Sequence, residues 1–259
     1  MDPSKPVEVK ITHPESVAMP LPPPMSPSSL TPPVLLLSLL LPLLLAFLFL
    51  RRGKKSGRKL VIFGPVGGGK TAIYHWLRFG RIIPTVSSMQ PTSASFVPSG
   101  SMASGNRPTL VVDVPGSGRL RSTLLEEASS AAALVCVIDA TQLVTQARDA
   151  AGMLFEVLSH DPVARRQPPV LIAVNKQDCI GAATNAAARK TIEQEVERVR
   201  LARTTMEDTS GRTKQVRGIA DDSQGAFSFD HLANKVTFAA TSATKLQLTP
   251  LLELIADIR

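Results

Sequence analysis

The stretch Gly64-Pro65-Val66-Gly67-Gly68-Gly69-Lys70-Thr71 constrains this chain more than any other. It stands directly after an apolar run, Leu60 to Phe63, and directly before a helix-length stretch, Thr71 to Phe79. A glycine-rich turn between a strand and a helix lets successive backbone N–H groups converge on one anion, and the helix start adds its positive end. Lys70 is placed to reach the β and γ phosphates of a nucleotide, and Thr71 to bind Mg²⁺ through its hydroxyl. A turn without a ligand is the plainer reading, and the strand before it and the helix after it argue against that.

The remainder from Lys59 onward has the matching texture. Apolar runs at Leu110 to Val112, Leu134 to Ile138, Val170 to Val174 and Val236 to Ala239 alternate with helix-length stretches. Those stretches are Leu120 to Ser130, Gln142 to Leu158, Ala183 to Arg203 and Pro250 to Ile258. Alternation of this kind predicts an α/β domain, three layers deep, with a mostly parallel sheet. With 259 residues, 44% of them hydrophobic and 19% charged, the chain can bury a core and is not disordered throughout. Two cysteines exclude a disulfide-stapled scaffold. Cys136 reads as a packed strand residue and Cys179 as a loop residue, while the four histidines show no metal-ligand spacing. Trp76, Ile73 and Leu77 form the apolar face of the helix after the glycine-rich turn. The polar segment Thr204 to Ser228 is too long for an ordinary loop and is expected to be a mobile insertion.

The formal net charge of +8 is concentrated in one patch, Arg51, Arg52, Lys54, Lys55, Arg58 and Lys59. That patch follows Val34 to Leu50, which contains no charge. Seventeen helical residues reach roughly 26 Å, near the thickness of a thin bilayer such as that of the endoplasmic reticulum. A cleaved signal would carry its basic residues before the apolar run, and a soluble core helix would be amphipathic; Pro42 is tolerated in a membrane helix. The expected organisation is a Pro-rich lumenal tail at 1–33, a transmembrane helix at 34–50, a basic cytoplasmic linker at 51–59 and a cytosolic domain at 60–259. The lipid bilayer is thus one expected partner. The basic run is read first as a topology signal; contact with anionic lipid or ribosomal RNA is the alternative, and direct DNA binding is not expected.

Base identity is read further along, at Asn175-Lys176-Gln177-Asp178. A carboxylate such as Asp178 accepts two hydrogen bonds from the N1–H and exocyclic amine of guanine, and adenine offers no such donor pair. Asn175 and Lys176 would brace the loop and cover the base, and Thr241-Ser242-Ala243-Thr244 would contact its oxygen. Between the two motifs, Asp113-Val114-Pro115-Gly116 follows a strand and supplies a carboxylate for Mg²⁺ through water and, at Gly116, an N–H for the γ phosphate.

With these motifs in order the chain resembles the small Ras and Arf-like GTPases over about residues 59 to 259. The apolar span, the basic stop and the insertion before the last strand resemble, within them, the signal recognition particle receptor beta subunit family. Thr85-Val86-Ser87-Ser88-Met89 resembles that family's first switch, and Asp113 to Gly116 with Leu120-Arg121 its second. The resemblance implies a GTP- and Mg²⁺-loaded subunit of the endoplasmic reticulum membrane that recruits the receptor's peripheral alpha subunit for co-translational targeting. It also implies indirect contact with the ribosome or the signal recognition particle. An Arf-like regulator of vesicle traffic is the alternative, and it lacks support because position 2 is Asp2 and not the glycine that myristoylation needs.

The expected nucleotide site comprises Gly64, Pro65, Val66, Gly67, Gly68, Gly69, Lys70, Thr71 and Ala72; Thr85, Val86, Ser87 and Ser88; Gly116; Asn175, Lys176 and Asp178; and Ser242 and Ala243. The expected metal residues are Thr71 and Asp113 with a switch hydroxyl. Thr85, Ser87 and Ser88 all have suitable spacing for that hydroxyl, with Thr85 and Ser88 preferred. Ser117 stands where Ras-type enzymes place the glutamine that orients attacking water. Hydrolysis is therefore expected to be slow, and no catalytic residue is assigned.

Overall fold

The computed structural model describes residues 57–100, 107–210, 219 and 225–258. The expected tail, the span and all of the basic linker before Gly57 lie outside the described residues, as does most of the expected insertion beyond Ser210. Among the described residues no helix is long and apolar enough to cross a membrane.

Six strands form one sheet: β1 (Lys59–Phe63), β2 (Thr92–Phe96), β3 (Thr109–Asp113), β4 (Ala133–Asp139), β5 (Val170–Asn175) and β6 (Val236–Ala240), in the order β2-β3-β1-β4-β5-β6. All neighbours are parallel except β2 and β3, which run antiparallel. The helices are α1 (Lys70–Phe79), α2 (Arg121–Ser129), α3 (Leu143–Ser159), α4 (Asp161–Arg166), α5 (Asn185–Ser210) and α6 (Thr249–Asp257). This is the expected α/β architecture with a mostly parallel sheet.

A strand covered on both faces reads as a nearly continuous apolar run, and β4 is buried throughout, apolar from Ala133 to Ile138 and ending in Asp139. Its two faces feed different cores. Leu134, Cys136 and Ile138 pack with α2, α3, α4 and α5, whereas Ala133, Val135 and Val137 pack with α1 and α6. Ile73, Trp76 and Leu77 lie in the second core, as the apolar face of α1 requires. Cys136 is fully buried, which pushes its thiol pKa up to about 12 and leaves it a packing residue; Cys179 is exposed.

Each expected strand is extended by a residue or so at its ends, and this has consequences for the site. Asp113, Asp139 and Asn175 become the last residues of β3, β4 and β5. Two elements have no counterpart in the sequence expectation. β2 is a polar edge strand whose Ala94 and Phe96 alone turn toward the core, and α4 is a six-residue helix started by Pro162. The helix α5 continues past Arg203 to Ser210, so the expected insertion begins as helix. After it, Glu197 accepts from the Phe227 N–H and Glu193 from the Phe229 N–H, at 3.1 and 3.0 Å, which ties the returning chain to α5.

Candidate functional site

The site gathers where the parallel strands end, because every loop that leaves β1, β3, β4, β5 or β6 emerges at that edge. Gly64 leaves β1 with φ +136°, and a Cβ there would sit 2.3 Å from the Val137 carbonyl oxygen. Only glycine lets the turn cross β4 so closely. Gly69 caps α1 in the left-handed conformation, and Gly80 closes it with its N–H on the Trp76 carbonyl oxygen.

A cavity of about 330 Å³ opens beside this turn. Val66, Gly67, Gly69, Lys70, Thr71 and Ala72 line it on one side, Thr85, Val86, Ser87 and Ser88 on another, and Gly116 and Lys176 complete it. Pro115 and Ser117 also line it, beyond the expected nucleotide contacts. Gly64, Pro65, Gly68, Asn175, Asp178, Ser242 and Ala243 stand outside the cavity lining. Lys70 is buried and donates to the Pro65 carbonyl oxygen at 2.7 Å. Burial holds its pKa below the ordinary lysine value, and the Asp113 carboxylate partly offsets this.

Thr71, Ser88 and Asp113 meet at one point. The Thr71 hydroxyl donates to Asp113 Oδ2 at 2.7 Å and lies 3.0 Å from Ser88 Oγ. Of the three switch hydroxyls left open by spacing, Ser88 is therefore the one joined to Thr71. Asp113 is almost fully buried, and burial raises its pKa against the opposing pull of Thr71 and Lys70. Its Oδ1 has no hydrogen-bond partner among the described residues. A buried carboxylate oxygen without a partner, next to two hydroxyls, is a donor set that suits a hard cation with oxygen ligands.

The second half of the site is built on Asn175. Its Nδ2 donates to the Gly68 carbonyl oxygen at 2.9 Å, and its Oδ1 accepts from the Ala243 N–H at 3.2 Å. One amide thus fastens three loops. Ser242 Oγ donates to Asp178 Oδ1 at 2.6 Å and itself accepts from the Lys245 N–H at 3.0 Å. That hydrogen bond, with Lys245 and Lys176 nearby, holds the half-buried Asp178 carboxyl below its ordinary pKa. Backbone pairing of the Gln177 N–H with the Thr241 carbonyl oxygen at 3.1 Å sets the two loops in register.

Two residues that the motifs did not reveal complete the framework. Lys176 adopts φ +64°, and its Nζ bonds Asp139 Oδ2 at 2.6 Å. Burial opposes ionisation of Asp139, but bonds from Lys176 and Thr141 outweigh it and lower the pKa. Gln146 accepts from the Asp139 N–H at 3.1 Å and donates to the Val66 carbonyl oxygen at 3.1 Å. It stitches the glycine-rich turn to β4. Its position inside α3 carries no motif, so only its burial in a polar pair marks it out.

A second cavity, about 320 Å³, lies near the other ends of the strands, lined by Leu158, Arg165, Gln167, Ile219, His231 and Asn234 among others. It shares no residue with the site.

A sheet in this order, with a phosphate-type turn after β1 and a base-reading type of loop after β5, is the small-GTPase-like α/β fold. Residues 55–236 match the family model described as the signal recognition particle receptor beta subunit. The chain belongs to that family. It is 31% identical over 192 residues to signal recognition particle receptor subunit beta of Mus musculus, covering 73% of this chain and 70% of that protein. The corresponding protein of Dictyostelium discoideum is 27% identical, and the match spans 64% of its length. Among solved structures, that of the mammalian SRP receptor superposes with a TM-score of 0.65 at 26% identity, covering 78% of this chain and 100% of the other. An SRb-GTP/SRX complex from Chaetomium thermophilum gives 0.61 at 21% identity over 77% and 97%, a likeness of fold.

Proposed function

We propose that this chain is the GTP-binding, membrane-anchored beta subunit of a signal recognition particle receptor at the endoplasmic reticulum, recruiting the peripheral alpha subunit. One observation carries the reading. Asn175 ties the loop bearing Asp178 to the turn bearing Lys70, so a carboxylate suited to guanine is held in register with a cradle suited to phosphates.

In this reading Lys70 and the backbone N–H groups of Gly67 to Thr71 bind the β and γ phosphates, and Asp178 takes the two guanine donors. Thr71 and Ser88, with Asp113 through water, would hold Mg²⁺, which supplies charge neutralisation to the phosphates. The role of the nucleotide is conformational. Ser88 shares a hydrogen-bonding cluster with Thr71, and Val86 and Met89 beside it are 88% and 89% exposed. Ordering this segment around a γ phosphate would present those apolar side chains to the alpha subunit. Ser117 is exposed at the cavity and has no amide with which to orient a water, which favours binding over turnover.

The test is equilibrium binding of GTP, GDP, ATP and XTP to the full chain in detergent, parent against Asp178→Asn. Tight guanine binding that moves toward xanthine in the variant is expected; equal binding of ATP would sink the reading. Single-turnover hydrolysis with the alpha subunit present then separates the receptor from the Arf-like alternative. A rate that stays near zero while only the GTP form captures the partner marks the receptor, and strong stimulated turnover marks a regulator that works by hydrolysis.

A further inference from the structure

The parallel strands all begin at the edge opposite the glycine-rich turn, and basic residues lie ahead of four of them, β1, β3, β5 and β6. Arg58 precedes β1 and Lys59 opens it, Arg107 lies just before β3, Arg165 and Arg166 end α4 ahead of β5, and Lys235 precedes β6. Backbone bonds hold these segments side by side. The Leu110 N–H donates to the Arg58 carbonyl oxygen at 2.8 Å and the Val170 N–H to that of Lys235 at 2.9 Å. Arg166 reaches the Ser129 carbonyl oxygen at the end of α2, at 2.9 Å.

Carboxylates offset only part of this charge. Glu127 pairs with Lys59 at 2.6 Å, Asp161 faces Arg165 at 3.6 Å with both side chains about two-thirds exposed, and Asp257 ends α6. The edge is left positive. In the sequence, Arg51, Arg52, Lys54 and Lys55 run directly into Arg58, and the uncharged segment Val34 to Leu50 precedes them.

We propose that this edge is a docking surface for an anionic lipid bilayer. It would lie on the headgroups while the nucleotide cavity, at the opposite edge, stays open to a soluble partner. The occupant follows from charge and connectivity. The exposed Arg107, Arg165, Arg166 and Lys235 along one edge match a negative leaflet, whereas Arg58 donates to the Ile255 carbonyl oxygen and Lys59 is held by Glu127. The chain enters that edge from a basic run of the kind that flanks a membrane segment. The segments forming the edge, Arg58–Lys59, Arg107–Pro108, Arg165–Pro169 and Lys235, hold no aromatic side chain on which a nucleic-acid base could stack. The proposal rests on the anchor reading only for delivery of the domain to a bilayer.

The test uses the full chain in lipid nanodiscs carrying a headgroup-attached quencher. Cys179→Ser removes the exposed thiol, and a fluorophore is placed at Ala233→Cys on the basic edge or at Val144→Cys at the start of α3, 87% exposed and at the opposite edge. Quenching at 233 several-fold stronger than at 144 is expected with phosphatidylserine. The difference should collapse with phosphatidylcholine alone, at high salt, and in the triple variant Arg107→Glu, Arg165→Glu, Lys235→Glu, whose guanine-nucleotide affinity should match the parent. Equal quenching at the two positions, or a difference that ignores lipid charge, overturns the proposal. So does duplex RNA that binds the parent, fails to bind the triple variant and leaves quenching independent of lipid charge. Alkaline extraction is scored separately: release of the chain removes the anchor reading, while quenching by vesicles met from solution still decides the face.

Discussion

Asn175 donates to the carbonyl oxygen of Gly68, a residue 107 positions earlier, at 2.9 Å. The bond joins the loop that reads the base to the turn that holds phosphate, and the other end of the same amide takes the Ala243 N–H. All three groups are buried or nearly so.

Asn175→Ala should therefore cost more than one ordinary hydrogen bond. It strands a buried N–H and a buried carbonyl, each worth about 1–3 kcal/mol when left unpaired. Urea denaturation of the nucleotide-free chain should show a loss of about 2 kcal/mol or more, and calorimetry should show weaker binding of GTP and GDP alike.

Two glycines in the same turn should respond differently to alanine. At Gly64 the new Cβ meets the Val137 carbonyl oxygen at 2.3 Å, backbone against backbone, whereas at Gly67 the nearest atom is Gln146 Nε2 at 3.9 Å. Gly67→Ala should cost about 1–2 kcal/mol for its left-handed backbone, and Gly64→Ala should cost more or prevent folding. Thermal or urea unfolding of the pair checks the order.

The Asp178 carboxyl owes its lowered pKa first to the Ser242 hydroxyl. An ionised acceptor is what guanine requires, so binding of the base should persist on acidification to below the ordinary carboxylate range. Ser242→Ala removes the bond and lets the pKa rise, so the acid limb of GTP affinity should move to higher pH. Affinity measured between pH 3 and 7 reads the shift.

Asp113 behaves in the opposite sense. Burial raises its pKa, so the folded chain holds that proton more tightly than the unfolded chain does. The charge therefore costs stability above the folded-state value, and the cost disappears as pH falls below the unfolded one. Asp113→Asn should stabilise the nucleotide-free protein at neutral pH and flatten this part of its pH profile. The same variant should lose the gain in nucleotide affinity that Mg²⁺ brings, which titrations with and without the metal would show.

The alternation of strand and helix was legible because β1, β4 and β5 are covered on both faces and are apolar everywhere except at one terminal residue each, Lys59, Asp139 and Asn175. The strand β2 carries no such signal, for the converse reason. It lies at the sheet edge, where Thr92, Ser93 and Ser95 are exposed and only Ala94 and Phe96 are partly covered. The short helix α4 has too few residues for a periodic signal, and its Pro162 reads as a breaker until it is seen in the first turn.

The sequence by itself determined the glycine-rich turn between strand and helix, the order of the nucleotide motifs and the alternating layers, because each depends on residues adjacent in the chain. Tertiary structure decided that Ser88, and not Thr85 or Ser87, meets Thr71, and that Gln146 and Asp139 support the turn and Lys176. Those partners are brought together by the packing of β3, β4 and α3 around the ends of the parallel strands. These hydrogen bonds span from 7 to 80 positions and follow no motif spacing, since their geometry exists only once the sheet has formed.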